Sequence, residues 1–343
     1  MTATFISERR AVLTSCSIPL SESYDLAMLD LDGVVYIGGH AVPGAPDAIE
    51  AARAAGMHVA FVTNNAARSP RAVAAHLAEL GVEANAEDVV TSAQAAASVL
   101  RKRFGGGARI AALGADGLVE ALGAAGLEVV GVDEPADAAV TGYGPDVPWR
   151  DIMRLATRIR DGLPWVASNT DASFPTPYGE APGHGVLVEM LSRFTGVTPA
   201  VGGKPAPPLL EETIRRVGGR RPLMVGDRLD TDVAGGAAVG VDTLLVMTGV
   251  TGLAELATAR PDLRPTYLTA DLRGLAAPQP TVSVTAGRCS LGGWTVSIGP
   301  DGAVTASGGG SADDWWRAVA ASVWWHLDTT GSVADTSDVT PPR

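Results

Sequence analysis

The chain has 343 residues, 46% of them hydrophobic, with 41 glycines and a formal net charge of −12. That length accommodates two or three domains with a sizeable core, and the composition is that of a folded α/β protein, not of a disordered one. The acidic balance argues against nucleic acid or an anionic membrane surface as partner, and no apolar run approaches the ~20 residues that span a bilayer. Cys16 and Cys289 are the only cysteines and lack metal-ligand spacing, so no disulfide framework is expected and a reducing cytoplasm is the default location.

Along the chain, Arg9 and Arg10 precede a short apolar piece broken by Thr14, Ser15 and Ser17, too poor for a secretory signal. Residues 1–22 read as a loose tail. Leu26, Ala27, Met28 and Leu29 then form a buried strand that ends in Asp30-Leu31-Asp32-Gly33. Two carboxylates one residue apart at a strand end are costly to bury unless a cation lies between them, and a hard, oxygen-preferring ion such as Mg²⁺ answers that need. A calcium loop is ruled out, because the fifth, sixth and twelfth positions are Val34, Val35 and Ala41.

Residues 57–62 read as a second apolar strand, running into Thr63-Asn64-Asn65 just before a helix, a turn suited to holding a phosphate on backbone N–H groups and a hydroxyl. Between about 91 and 195 lies an insertion with its own α/β rhythm: strands at 109–113, 128–132, 138–141 and 165–168, helices at 116–125 and 149–161. Next, Gly202-Gly203-Lys204-Pro205 presents one lysine on a rigid loop, able to neutralise a nucleophile and a phosphate together. The strand at 223–225 then enters Gly226-Asp227-Arg228-Leu229-Asp230-Thr231-Asp232. Taken singly, Thr63 also reads as a helix cap, Lys204 as a solvated lysine and the last acids as an N-cap. Their order, each at the end of an apolar strand, makes one constellation along one edge of a doubly wound parallel sheet.

After about residue 270 the character changes. A proline-rich linker leads to short alternating stretches at 282–285, 294–298 and 303–307, then to a helix holding four of the seven tryptophans. This small α+β extension, residues 281–327, reads as an accessory domain. Trp316, Ala320, Val323 and Leu327 form a core stripe, and the paired tryptophans widen it into a face for the cap or for a second copy in a homodimer. Residues 328–343 read as a disordered tail.

These motifs resemble the haloacid dehalogenase-like hydrolase superfamily, specifically its p-nitrophenylphosphatase and phosphoglycolate or glycerol phosphatase branch, over residues 24–270. Gly142-Tyr143-Gly144-Pro145-Asp146, Ser168-Asn169-Thr170-Asp171 and Pro182-Gly183-His184-Gly185 are similar to segments of that branch's cap. The resemblance implies a doubly wound core (residues 23–90 and 196–270) beneath a large inserted α/β cap (91–195). It implies Asp30 as nucleophile, Asp32 as general acid and base, and Lys204 holding nucleophile and phosphate. Mg²⁺ would be bound by Asp30, the Asp32 carbonyl and Asp227, with Asp232 behind them. Thr63 and Asn64 would bind phosphate, and cap residues Asp146 and His184 the rest of the substrate.

The expected activity is Mg²⁺-dependent hydrolysis of a small phosphorylated metabolite, glycerol 3-phosphate or 2-phosphoglycolate, through an aspartyl-phosphate. A broad sugar-phosphate or nucleotide phosphatase is one alternative. A non-catalytic phosphometabolite sensor signalling through the C-terminal unit is another, against which the Asp30 and Asp32 pair speaks, since binding alone needs no nucleophile and proton shuttle together.

Overall fold

The computed structural model describes residues 13–176 and 179–342. Its core is a six-stranded parallel sheet in the spatial order Tyr267–Thr269, Asp242–Val246, Pro222–Gly226, Leu26–Leu29, His58–Thr63, Val89–Thr91. Numbered along the chain this is 6-5-4-1-2-3, a doubly wound order whose direction reverses between Leu26–Leu29 and Pro222–Gly226. A ligand crevice forms at such a reversal, because the flanking connections leave on opposite faces there.

The strands are apolar on both sides because both faces are covered. Ala27, Leu29, Val59, Phe61, Leu223 and Val225 pack with Ile49 and Leu77 from the helices Ala45–Ala54 and Pro70–Glu79. Leu26, Met28, Ala60, Val62 and Met224 pack with Leu210 from the helix Pro208–Val217. Side chains alternate across each strand, so neighbours in sequence serve opposite layers.

The cap is a second parallel sheet, ordered Ala200–Val201, Trp165–Ala167, Ala138–Thr141, Arg109–Leu113, Glu128–Val130. Helices Ser92–Phe104 and Asp116–Ala124 cover one face and Trp149–Arg160 with His184–Thr195 the other. The edge strand Ala200–Val201 carries the cap sheet past residue 195, where the sequence set the boundary; two residues pairing with Val166 and Ala167 are too short to show periodicity.

Three expectations for the chain ends need correction. Residues 1–12 lie outside the described residues, but 13–22 are no loose tail: Leu20 is buried in the helix Leu20–Ser23, and Cys16 exchanges backbone hydrogen bonds with Gln279. Residues 328–342 are likewise placed. Asp328 takes a bidentate pair of 2.7 Å bonds from Arg264, Val304 N–H donates to the Asp335 carbonyl, and Ala334 and Val339 are buried. Polar composition alone suggests disorder, but the backbone and side-chain groups here find partners in the fold.

The C-terminal unit is also no separate accessory. It is a four-stranded antiparallel sheet, including a strand Arg288–Leu291 that the alternation did not reveal, and the helix Ala312–Thr330. That helix lies between its own sheet and the main core. Trp315, Val319 and Trp324 share one apolar cluster with Leu245, Leu256 and Leu268. The Trp324 indole donates to the Leu256 carbonyl (2.7 Å), and the buried Arg317 donates to the Leu268 carbonyl (2.9 Å). The wide tryptophan face is therefore covered by this chain itself, which leaves it unavailable to a second copy.

Candidate active site

The site forms where three core strands end and the chain returns from the cap. Asp30 follows Leu26–Leu29, Thr63 closes His58–Thr63, and Asp227 follows Pro222–Gly226, so the two flanking acids sit on either side of the sheet's reversal. Lys204 arrives on the return from the cap. It is 1% exposed, and its ammonium donates to Asp30 Oδ1 at 2.6 Å and to Asp232 Oδ1 at 2.7 Å. A buried lysine is tolerable only when paired in this way. Desolvation acts to lower its pKa, but the two carboxylates outweigh it and hold the group firmly protonated.

Asp232 is fully committed: besides the lysine, its Oδ2 accepts the N–H groups of Asp227 and Arg228 at 3.1 Å each, capping the tight helical turn Leu229–Val233. Asp227 is not. Its Oδ2 accepts from Val250 N–H at 2.6 Å, while Oδ1 is buried with no partner among the described residues. One carboxylate oxygen each from Asp30, Asp227 and Asp232 lie within 4.8 Å of one another. An orphaned anionic oxygen beside two more carboxylates is the donor set a hard divalent cation requires.

Two glycines make this possible. A Cβ on Gly33, whose φ is +85°, would stand 2.5 Å from Asp227 Oδ2, and one on Gly249 would stand 1.9 Å from it. Any side chain at either position would fill the cradle of the carboxylate.

Burial pushes the Asp30 carboxyl well above the ordinary range; Lys204 opposes the shift, and Asp232 and Asp227 add to it. Asp227 is pushed up to about 7, first by burial and then by Asp232. Three carboxylates crowded together in this way repel one another, and a cation would relieve the repulsion. Asp32 is open to solvent at the mouth, yet the surrounding protein displaces enough water to raise its carboxyl; Arg68, Lys204 and His76 pull the other way. A carboxyl raised above the ordinary range at the edge of the site suits a proton donor.

The phosphate-binding turn departs from expectation at Asn64. Thr63 is buried, and its hydroxyl oxygen accepts Asn65 N–H at 3.1 Å. The Asn64 side chain has no spare donor for phosphate: its amide nitrogen donates to Asp171 Oδ1 (2.8 Å) and the Lys204 carbonyl (2.9 Å), and its Oδ1 accepts Lys204 N–H (2.8 Å). It braces the lysine loop instead.

His184 is committed on one nitrogen only, with Nε2 buried and without a partner among the described residues. It is buried at the start of its helix and bonds the Asn169 carbonyl through Nδ1 at 2.9 Å, and burial lowers its pKa to about 4, so it stays neutral. Asp146 is exposed on the 142–146 loop and makes no hydrogen bond to the catalytic group among the described residues. A cap carboxylate that does reach the core is Asp171, held by Asn64 and raised by burial. Its signal is an acid four residues past the strand Trp165–Ala167, inside the phrase Ser168-Asn169-Thr170-Asp171. Arg68 was missed because its loop position carries no pattern.

A carboxylate nucleophile whose charge is offset before an anionic ester arrives belongs to a phosphate-ester hydrolase. The sequence pattern of the haloacid dehalogenase-like hydrolases matches residues 27–128, and a second, HAD-hydrolase-like pattern matches 201–275. The D-glycerol 3-phosphate phosphatase of Mycobacterium tuberculosis is 40% identical over 323 residues, covering 89% of this chain and 87% of that protein. The acid sugar phosphatase of Staphylococcus aureus is 35% identical over 253 residues, 73% of this chain and 96% of that one.

Among solved structures, the M. tuberculosis glycerol phosphate phosphatase in complex with magnesium superposes with a TM-score of 0.80 at 40% identity, covering 90% of this chain and 92% of that one. A p-nitrophenyl phosphatase from Archaeoglobus fulgidus gives 0.69 at 30% identity, covering 74% and 98%. The chain belongs to the haloacid dehalogenase-like hydrolases. Within that family it is a Mg²⁺-dependent phosphoric monoester hydrolase.

Proposed function

We propose that this phosphatase cleaves glycerol 3-phosphate, or a monoester of similar size such as 2-phosphoglycolate, in two displacements on Asp30. The observation that carries the assignment of roles is the Lys204 ammonium held between Asp30 and Asp232 beside the orphaned Asp227 oxygen. In the first step an Asp30 carboxylate oxygen attacks phosphorus, the bond from phosphorus to the alcohol oxygen breaks, and Asp32 gives that oxygen a proton. In the second, water attacks phosphorus and passes a proton back to Asp32. The acyl-phosphate bond breaks, releasing orthophosphate and the free Asp30 carboxylate. Thr63 and Lys204 donate to the phosphoryl oxygens.

Asp30, Asp227 and the Asp32 carbonyl would hold Mg²⁺, which when bound offsets the repulsion between an anionic nucleophile and a phosphate dianion. Phosphate monoesters are so inert that enzymes accelerate their hydrolysis by up to ~10²¹, most of it by positioning and charge compensation. The substrate assignment is supported by the M. tuberculosis relative and by a cap that closes against the core: Gly117 N–H donates to the Ala67 carbonyl at 3.1 Å, so bulky phosphoproteins have little access. A cytoplasmic site of action belongs to the proposal and is supported by two free cysteines and by the absence, among the described residues, of any helix long and apolar enough to cross a membrane.

The test is a phosphate-release screen over small esters with and without Mg²⁺. Glycerol 3-phosphate should lead in kcat/KM. A preference of more than tenfold for hexose phosphates or nucleotides would replace the substrate assignment, and no release from any ester would return the sensor reading.

A further inference from the structure

The carbonyl of Asn64 takes two hydrogen bonds. Asn169 Nδ2, from the cap, donates at 2.7 Å, and Ser92 Oγ, at the start of the first cap helix, donates at 2.5 Å. This carbonyl and the Asn65 N–H belong to one planar peptide unit, so fixing the first fixes the second. The Asn65 N–H donates to Thr63 Oγ1 at 3.1 Å. With that acceptor position filled, the Thr63 hydroxyl hydrogen is free to donate to an anion in the crevice.

Asn169 is itself held. Its Oδ1 accepts Asp171 N–H at 3.2 Å, which fixes the amide nitrogen toward Asn64, and its carbonyl accepts from His184 Nδ1 at 2.9 Å. The carbonyl can only accept, so His184 carries the proton on Nδ1. Asn169, His184 and Asn64 are all buried. Gly203 lets the strand returning from the cap pass close by, since a Cβ there would lie 2.5 Å from Asn64 Oδ1. Both connections between cap and core thus converge on Asn64, whose side chain also grips the Lys204 backbone.

Building on the assignment of Thr63 and Lys204 to the phosphoryl group, we propose that Asn169 is a positioning residue: through the Asn64–Asn65 peptide it orients the Thr63 hydroxyl for phosphate, and His184 holds it in place. The cap thereby contributes to binding the phosphoryl group as well as to selecting the leaving group.

The experiment compares the full-length parent with Asn169→Ala and His184→Ala, assaying kcat/KM on glycerol 3-phosphate and on p-nitrophenyl phosphate, inhibition by orthophosphate in Mg²⁺, and Tm. Misplacement by a fraction of an ångström predicts a loss of roughly 10–100-fold in kcat/KM for Asn169→Ala. The loss should be equal on the two esters because they share the phosphoryl group, with orthophosphate inhibition weakened in parallel and His184→Ala following the same pattern more weakly. A loss on one ester alone makes Asn169 a leaving-group contact and overturns the proposal. So does a loss that vanishes once assays are run well below the variants' Tm, or unchanged orthophosphate inhibition. If the parent binds orthophosphate but hydrolyses neither ester, the functional reading fails by itself. Orthophosphate affinity in Asn169→Ala then decides the positioning role: weakened upholds it, unchanged overturns it.

Discussion

Replacing Lys204 by methionine keeps the shape of the side chain and removes its charge. Each of the two ion pairs, at 2.6 and 2.7 Å, is worth about 6 kcal/mol of Coulomb energy at an effective dielectric of about 20. Much of that gross attraction offsets the cost of desolvating the ammonium, so the net destabilisation should resemble that of breaking other buried pairs, about 3–5 kcal/mol. The charges left behind are Asp30 and Asp232, which already crowd Asp227. Adding Asp232→Asn to Lys204→Met removes one uncompensated charge, and the double variant should be more stable than the sum of the single effects.

Turnover should fall by at least ~10³, because both the nucleophile and the phosphate lose their cation. Urea unfolding of the three variants in saturating Mg²⁺, with phosphate release measured on the same preparations, supplies both numbers. A Lys204→Met protein within about 1 kcal/mol of the parent, retaining a tenth of its kcat, would refute the role given to the lysine.

Asp30→Asn should abolish turnover while the Tm stays within a few degrees of the parent, since Asn is nearly isosteric but forms no acyl phosphate; mass spectrometry excludes deamidation as the source of residual activity. Glu212 is buried between Arg215, Arg216 and Ser98, and although burial works against it, these partners lower its pKa from 4.5 to about 2. A carboxyl depressed in the folded state stabilises above its unfolded pKa, and that stability is lost as pH falls from about 4.5 toward 2. With Arg215 well exposed the effect should be about 1–2 kcal/mol, so Glu212→Gln should show a flatter decline than the parent in urea titrations across that window. Truncation near Pro278 should give aggregated protein. Trp315 and Trp324 are each 1% exposed, and at about 25 cal/mol per Å² each covers several kcal/mol of apolar surface on Leu245, Leu256 and Leu268. A soluble truncated chain with cooperative unfolding would show the C-terminal unit to be dispensable.

The sequence by itself carried the parts whose chemistry is local. Asp30 and Asp32 at the end of an apolar run, Thr63 opening the next turn, Lys204 between glycine and proline, and Asp227 after a third strand were legible because a strand end fixes both the exposure and the direction of the residue that follows it. Partners contributed from far along the chain were not. Asn64 reads as a side-chain phosphate donor because its neighbour is one, and only the approach of Lys204, 140 residues away, and of Asp171, 107 away, commits its side-chain amide elsewhere. His184 carries no spacing information, and only its burial against the Asn169 carbonyl shows that Nδ1 props the cap loop. The C-terminal helix showed its apolar surface in sequence but not what would cover it. A helix apolar on more than one stripe must be enclosed on more than one side, and whether the enclosing surface is a partner or the chain's own core is decided by tertiary packing alone.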